Sequence, residues 1–161
     1  MSILSFILLI TLVLLVILSA FLSGSETAIT ATSKARIISK IKKGSKRANY
    51  VLKILNDKNS VITSLLLSNN LVNILATSLA TAFFYDLFGI SGIFYSTLLM
   101  TVILVLFAEV LPKTYSINKP TRTGLMISPI IFYLNKFLFP FVYVINFIVR
   151  LFFKKHEADS S

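Results

Sequence analysis

The sequence predicts an all-α integral membrane protein that forms a single transmembrane domain over residues 1–161. Hydrophobic residues make up 56% of the chain and the mean hydropathy is +0.86, which is far above the range of soluble domains. Three apolar stretches reach the length of about 20 residues that a helix needs to cross the hydrocarbon core. The basic residues lie outside these stretches, in two separate regions.

The three predicted spans cover residues of about 3–30, 60–85 and 92–111. The first begins with the almost unbroken apolar run Ile3–Leu22. No Lys or Arg precedes this run, and it is too long for the apolar region of a signal peptide, so we interpret it as a retained span. The sequence "YDLFGISG" at 85–92 predicts the turn between the second and third spans.

The positions of Lys and Arg predict the orientation of the spans. Nine of the 16 lie between Lys34 and Lys58, and the other seven lie between Lys113 and Lys155. With three crossings, both basic regions are cytoplasmic, while the N-terminus and the 85–92 turn are outside, as the positive-inside rule requires. The net charge of +10 is therefore attributed to contact with the anionic inner face of the cell (inner) membrane, and no nucleic-acid partner is expected.

Two further regions are predicted to be helical without being counted as spans. Residues 34–58 show apolar positions at helical spacing on both sides of Gly44-Ser45, which predicts a pair of short amphipathic juxtamembrane helices on the cytoplasmic side. Residues 121–153 are apolar but contain Pro129, Pro140 and Lys136. We expect a Pro-kinked belt helix in the inner interface there, with a fourth, kinked span as the alternative.

Polar residues within the predicted spans indicate where function is located, because a polar group in hydrocarbon is costly without a partner. Ser19 and Ser23 are four residues apart and share a helix face, which Glu26 continues. The motif "SNNLVN" adds three asparagines within five residues of the second span. In "AEVLPKTY", Glu109 lies near the end of the third span, and we expect Pro112 to break the helix there.

These clusters supply hydroxyl, amide and carboxylate oxygens, which are the ligands of Mg²⁺ and other hard cations. We expect one cation site, with Glu26 in a gating or orienting role. Close helix packing through the serines and a simple Glu109–Lys113 ion pair are the structural alternatives. The chain has no Cys, and its one histidine, His156, lies in a polar tail, so no enzymatic activity is expected. The expected ligands are Ser19, Ser23, Ser68 (hydroxyl or backbone), Asn70, Asn73 and Glu109.

Three motifs, in order and spacing, resemble the signatures of the DUF21 transmembrane domain of the CNNM/CorC magnesium transporter family. They are "LSAFLSGSETAITATS", "SNNLVN" and "FAEVLPKTYS". The resemblance implies a homodimer with three spans, juxtamembrane helices and a belt helix. It also implies Mg²⁺ export, exchanged for Na⁺, and further cytoplasmic CBS domains that this chain does not contain. By motif, it assigns functional roles to Ser23, Glu26, Asn69, Asn73, Glu109, Pro112 and Lys113.

Two positions depart from the family pattern, since Ser68 and Ala108 stand where family members usually have glycine. Mg²⁺ transport is the leading interpretation of the sequence. A cation sensor or scaffold that does not transport, and a cation channel, are the alternatives. Because the outer half of the third span is mostly apolar, gated alternating access fits the sequence better than an open pore.

The predicted topology can be tested by cysteine labelling. Cysteines introduced by Ser2→Cys and Gly89→Cys should react with an impermeant thiol reagent added outside intact cells, and a cysteine introduced by Ser161→Cys should not. The native chain has no cysteine, so the background is clean. Labelling at position 161 from outside would show that the chain crosses an even number of times.

Overall fold

The computed structural model describes residues 2–159, with side-chain environments up to Lys154, and every regular element in this range is helical. Met1, Ser160 and Ser161, and the side chain of His156, lie outside the described part. The elements are α1 (Ile3–Ala31), α2 (Lys34–Lys42), α3 (Lys46–Asn56), α4 (Lys58–Phe88), α5 (Ser91–Ile103), a π-helical segment (Leu104–Val110), α6 (Leu111–Asn118) and α7 (Pro120–Asp159).

Four helical stretches within the described residues are long and apolar enough to cross a membrane, which is one more than the sequence predicted. They are Ile3–Ala31, Lys58–Phe88, Ser91–Asn118 and Pro120–Lys154. The expected count of three is low by one because α7 continues through Pro129 and Pro140 as one helix instead of dividing into bent segments. Length and composition do not distinguish a crossing from an interfacial position, so the belt assignment of α7 stays a prediction.

The third membrane-length helix also continues where a break was expected. Pro112 lies in the first turn of α6, and the helix runs on to Asn118. The residues just before it form the π-helical segment, in which Leu111 N–H donates to the carbonyl of Leu106, five residues back. A proline disrupts an α-helix by its missing N–H and by a ring clash with the preceding turn. The wider π turn makes room for the ring, and the helix continues although the N–H is still missing, so the expectation of a break at Pro112 was wrong.

The two short juxtamembrane helices are present as predicted. α2 and α3 are separated at Gly44-Ser45, and the hydroxyl of Ser45 accepts a hydrogen bond from Ala48 N–H at the start of α3. Ile37, Ala48 and Val51 are buried in a cluster that Leu125 of α7 closes. Their apolar faces are thus covered by each other and by α7, while the basic faces stay exposed.

Two apolar clusters join the long helices. Near the middle of the molecule, Leu12 of α1 packs with Ala76 and Ala80 of α4 and with Met100 of α5. A second cluster joins α1, α3, α4 and the first half of α7, and its buried members are Leu22, Ile29, Ile54, Val61, Leu65, Val72, Ile127 and Ile131.

The first half of α7 is fixed to α4 by a polar contact that the sequence analysis did not anticipate. The hydroxyls of Ser60 and Ser64 both donate to Asn135 Oδ1, at 3.2 and 2.6 Å. Ser60 and Ser64 are buried, and interhelical hydrogen bonds of this kind stabilise helix association in an apolar environment. α7 is therefore packed against the bundle at least as far as this residue.

The turn between α4 and α5 depends on glycine at two positions. Gly89 ends α4 with φ of 63°, in the left-handed region that favours glycine. Gly92 lies so close to the end of α4 that a Cβ placed on it would be 2.1 Å from the carbonyl oxygen of Phe84. Only a residue without a side chain permits this approach.

Replacing Gly92 should therefore loosen the α4–α5 hairpin. We expect Gly92→Ala to destabilise the domain by about 1–3 kcal/mol, because the methyl group meets backbone atoms that cannot rotate away. The neighbouring change Ser91→Ala, at an exposed position, should stay within about 0.5 kcal/mol. Thermal unfolding in detergent measures both. Equal melting temperatures for the two variants would contradict the close approach.

Candidate cation site

A cluster of three side-chain oxygens joins α1 to α4 in the interior of the bundle. Ser19 is fully buried, and its Oγ lies 2.9 Å from Asn69 Oδ1 and 2.5 Å from Asn73 Oδ1. Asn69 and Asn73 are one turn apart on α4, so both amides face the same point on α1. We call these three residues the oxygen cluster.

The oxygen cluster has more acceptors than protons. A serine hydroxyl carries one proton, so it donates fully to only one of the two amide oxygens at a time. The two amide oxygens therefore share this proton, with Asn69 buried and Asn73 half-buried. Such an arrangement of converging oxygens is suited to a positive charge.

Ser23 adds a further oxygen one turn along α1. It is fully buried, and its hydroxyl has no hydrogen-bond partner among the described residues. Serine in a helix often donates to the carbonyl four residues back, as Ser25 does here to Phe21 at 2.6 Å. Because Ser23 lacks even this local bond, its hydroxyl is free to bind a ligand.

Two of the predicted ligands on α4 are not in the oxygen cluster. Asn70 is exposed on the outer face of α4, and the buried Asn69 takes the position that the sequence analysis gave to Asn70. The hydroxyl of Ser68 donates to the carbonyl of Ser64 on its own helix, at 2.8 Å. Choosing between adjacent asparagines requires the rotation of α4 about its axis, which the motif alone does not define.

Glu109 lies in the π-helical segment and forms an ion pair with Lys113. The distance from Glu109 Oε2 to Lys113 Nζ is 3.6 Å, and the two side chains are 41% and 38% exposed. The helix continues through Pro112, so the i, i+4 pairing forms despite the proline. No hydrogen bond of the described side chains connects Glu109 to the oxygen cluster, although α1 contacts the π-helical segment.

The carbonyl of Ala108 is a further oxygen in this region. Pro112 has no N–H, so the carbonyl four residues back lacks its α-helical partner. Ala108 itself is fully buried, so its methyl group fits where the family pattern has glycine. The π-helical segment thus brings a carboxylate to the helix that packs on α1.

Close packing of α1 on α6 depends on Gly24. A Cβ on this residue would lie 3.2 Å from Ser116 Oγ and 3.3 Å from Pro112 Cβ. Pro112 therefore serves as a packing surface for the small residues that follow Ser23. Glu26 is half-buried beyond this contact and forms no ion pair within the described side chains.

A polar cavity of about 180 Å³ lies between α4 and α5, beyond the oxygen cluster. Thr77 donates to the carbonyl of Asn73 at 2.9 Å, and Thr81 donates to that of Thr77 at 2.8 Å, so polar groups continue along α4 from the cluster. The sequence analysis missed these residues because it treated isolated threonines as apolar. The lining hydroxyls belong to Thr77, Thr81, Ser96, Thr97 and Thr101.

The described residues contain no group of three or more His, Cys, Asp or Glu side chains that could hold a metal ion. Any cation bound at the oxygen cluster would be held by neutral oxygens with a single carboxylate nearby. Such a donor set is hard, which excludes thiolate-type metals and suits Mg²⁺ or Na⁺.

The chain matches the sequence model described as the cyclin M transmembrane N-terminal domain (CNNM) over residues 9–161. It is 35% identical over 134 residues to the UPF0053 inner membrane protein YfjD of Escherichia coli, which covers 83% of this chain and 31% of that protein. A UPF0053 protein of Haemophilus influenzae is 32% identical over 141 residues, covering 88% and 34%.

A putative DUF21 domain-containing chloroplastic protein of Arabidopsis thaliana is 29% identical over 132 residues, covering 81% of this chain and 20% of that protein. The chain spans about a third of the length of the two bacterial relatives. The match to the family model covers residues 9–161, which is nearly all of this chain. This membrane protein therefore belongs to the CNNM (DUF21) transmembrane domain family.

Proposed function

We propose that this domain binds Mg²⁺ within the membrane and exports it in exchange for Na⁺. The observation that carries the proposal is the oxygen cluster, in which one buried serine proton is shared between the amide oxygens of the buried Asn69 and the half-buried Asn73. A cation bound there satisfies both carbonyls at once. The unpartnered hydroxyl of Ser23, one turn away on the same helix, supports a site that extends toward the π-helical segment.

The charge balance of this site favours release as well as binding. Glu109 supplies one negative charge, and Lys113 neutralises it when no cation is present. Mg²⁺ must displace Lys113 to reach the carboxylate, which lowers its net affinity. A transported ion has to leave the site again, so one competing lysine is an advantage that a storage site would not need.

Alternating access fits the packing better than a channel. Ser19 is fully buried, and the outer part of the α1–α4–α5 contact holds an apolar cavity of about 480 Å³. The hydroxyl-lined cavity beyond Asn73 is the natural outward route, since it extends the polar face of α4. We infer a homodimer in the cell membrane with its N-terminus outside, acting in transport and not in catalysis, with the CBS domains of the family as cytoplasmic partners.

Ion flux in proteoliposomes tests the function, and two neighbouring asparagines provide a matched pair. Asn69→Leu removes an amide from the oxygen cluster, whereas Asn70→Leu makes the same change on the exposed face of α4. We expect Asn69→Leu to lower Mg²⁺ flux by at least about tenfold, from the loss of a charge-assisted contact, and Asn70→Leu to lower it little. Flux should depend on both the Mg²⁺ and the Na⁺ gradients.

Three other outcomes of the flux measurement would each decide between functions. If the two asparagine variants lose flux equally, the oxygen cluster is not the site. If Mg²⁺ binds to the wild-type protein but no flux occurs under any gradient, the domain is a sensor or scaffold. If flux does not depend on the Na⁺ gradient, the proposed exchange for Na⁺ is wrong, but the proposal of Mg²⁺ transport still holds.

Calorimetric titration tests the roles of Glu109 and Lys113. Glu109→Gln keeps the shape of the side chain but removes its charge, so Mg²⁺ affinity should fall strongly, by about tenfold or more. Lys113→Gln removes the competitor and should raise affinity by no more than about fivefold, because a half-exposed ion pair contributes less than about 1 kcal/mol. Asp86→Asn, at an exposed position near the end of α4, is the control for general charge. A drop in affinity for Lys113→Gln would show that Lys113 supports the site.

A further inference from the structure

A basic pocket of about 550 Å³ lies where α2 and α3 meet the start of α7, away from the oxygen cluster. Lys40 comes from α2 and Arg47 from α3, and α7 contributes the remaining lining residues. We call this the basic pocket. Its lining residues are Lys40, Arg47, Thr121, Arg122, Leu125 and Met126.

The three cations of the basic pocket have no carboxylate partner. The one ion pair among the described side chains joins Lys113 to Glu109, elsewhere in the fold. Arg47 donates from Nη1 to the carbonyl of Met126 at 3.2 Å, which orients its guanidinium and leaves its other N–H groups available. Bringing like charges together is unfavourable, so the pocket favours an anion that bridges them.

Thr121 gives an independent indication of a ligand. Its hydroxyl oxygen is buried and has no hydrogen-bond partner among the described residues. Most other hydroxyls near the helix ends are bonded, as Thr32 and Thr123 are to backbone carbonyls. A buried hydroxyl without a partner is costly, and a rotation of the Thr121 side chain toward the pocket would let an anionic oxygen there accept its proton. The pocket also lies at the start of α7, where unpaired N–H groups favour negative charge.

The apolar side of the basic pocket indicates what kind of molecule carries the anion. Leu125 and Met126 line it, and Met126 is 56% exposed. α1 ends at Ala31 and α4 begins at Lys58, so α2 and α3 lie at the ends of the membrane-length helices, where head groups are found. A ligand here meets cations on one side and an apolar surface on the other.

We propose that the basic pocket binds the phosphate of an anionic phospholipid from the leaflet next to α2 and α3. Lys40, Arg47 and Arg122 contact the phosphate oxygens, and the Thr121 hydroxyl donates to one of them. The acyl chains leave along Leu125 and Met126. The lipid thereby adds a contact between the juxtamembrane helices and α7 to the apolar clusters that already join them.

Native mass spectrometry of the full chain, titrated with phosphatidylglycerol or phosphatidylcholine, tests the proposal. Lys40→Gln and Arg122→Gln should each weaken phosphatidylglycerol binding by at least about tenfold, because each removes a charge-assisted contact. The matched controls Lys42→Gln and Arg36→Gln change the same charge at exposed positions of α2 that do not line the pocket. They should weaken binding by no more than about fivefold, the effect of general attraction to the surface.

The variant Thr121→Val distinguishes a pocket that binds a lipid from a pocket that stays empty. With a lipid in place, the variant binds phosphatidylglycerol more weakly, since a hydrogen-bond donor is lost. An unchanged affinity together with a higher melting temperature would overturn the proposal, because the buried hydroxyl would then have no ligand.

Other outcomes of the lipid titration also decide whether the basic pocket binds an anionic phospholipid. If the pocket variants and the controls lose affinity for phosphatidylglycerol equally, the effect is general attraction to the surface, and the proposed site is wrong. Displacement of the lipid by inorganic phosphate or glycerol phosphate at similar concentrations would overturn the lipid assignment in favour of a soluble phosphate. If the wild-type protein keeps phosphatidylglycerol in the presence of both competitors, and the Lys40→Gln variant does not, the lipid assignment is supported. Mg²⁺ flux is measured separately, so its failure leaves this result unaffected.

Discussion

The contact between Ser19 and the two asparagines of α4 is the interaction on which the rest of the structure depends. In an apolar environment, a buried amide without a partner costs more than any single packing contact supplies. The sequence therefore places small residues on α1 at this level, so that α4 can approach closely enough for one hydroxyl to reach both amides. The one Ser19 proton is then shared between two amide oxygens, which is the arrangement that the proposed cation site uses.

The π-helical segment resolves a conflict within the third long helix. Pro112 contacts Gly24 and so sets the approach of α6 to α1, but a proline in a regular helix would disturb the turn before it. One wider turn between Leu104 and Val110 accepts the proline and keeps the helix continuous. The same turn holds Glu109. The packing of α6 on α1 and the position of Glu109 thus have a common structural cause.

Much of this arrangement was predictable from periodicity and charge. The apolar runs defined the long helices, and the spacing around Gly44-Ser45 gave α2 and α3. Helical spacing did not separate Asn69 from Asn70, because adjacent residues differ by about 100° around a helix and only packing fixes its rotation. Only the family motif pointed to Asn69. The continuity at Pro112, Pro129 and Pro140 was also missed, since a local rule about proline does not include the compensation that neighbouring turns and helices provide.

The distribution of charge separates the molecule into two kinds of surface with different requirements. Around the oxygen cluster the chain uses neutral oxygens and one paired carboxylate, because unpaired charges there would be too costly to bury. Around α2, α3 and the start of α7 it concentrates exposed cations without carboxylate partners, which favours contact with anions. A change in how α7 sits against α2 and α3 would be transmitted to α4 through Asn135, because Ser60 and Ser64 bind it on the helix that carries Asn69 and Asn73. The surface formed by α2 and α3 and the oxygen cluster are therefore connected through one packed helix.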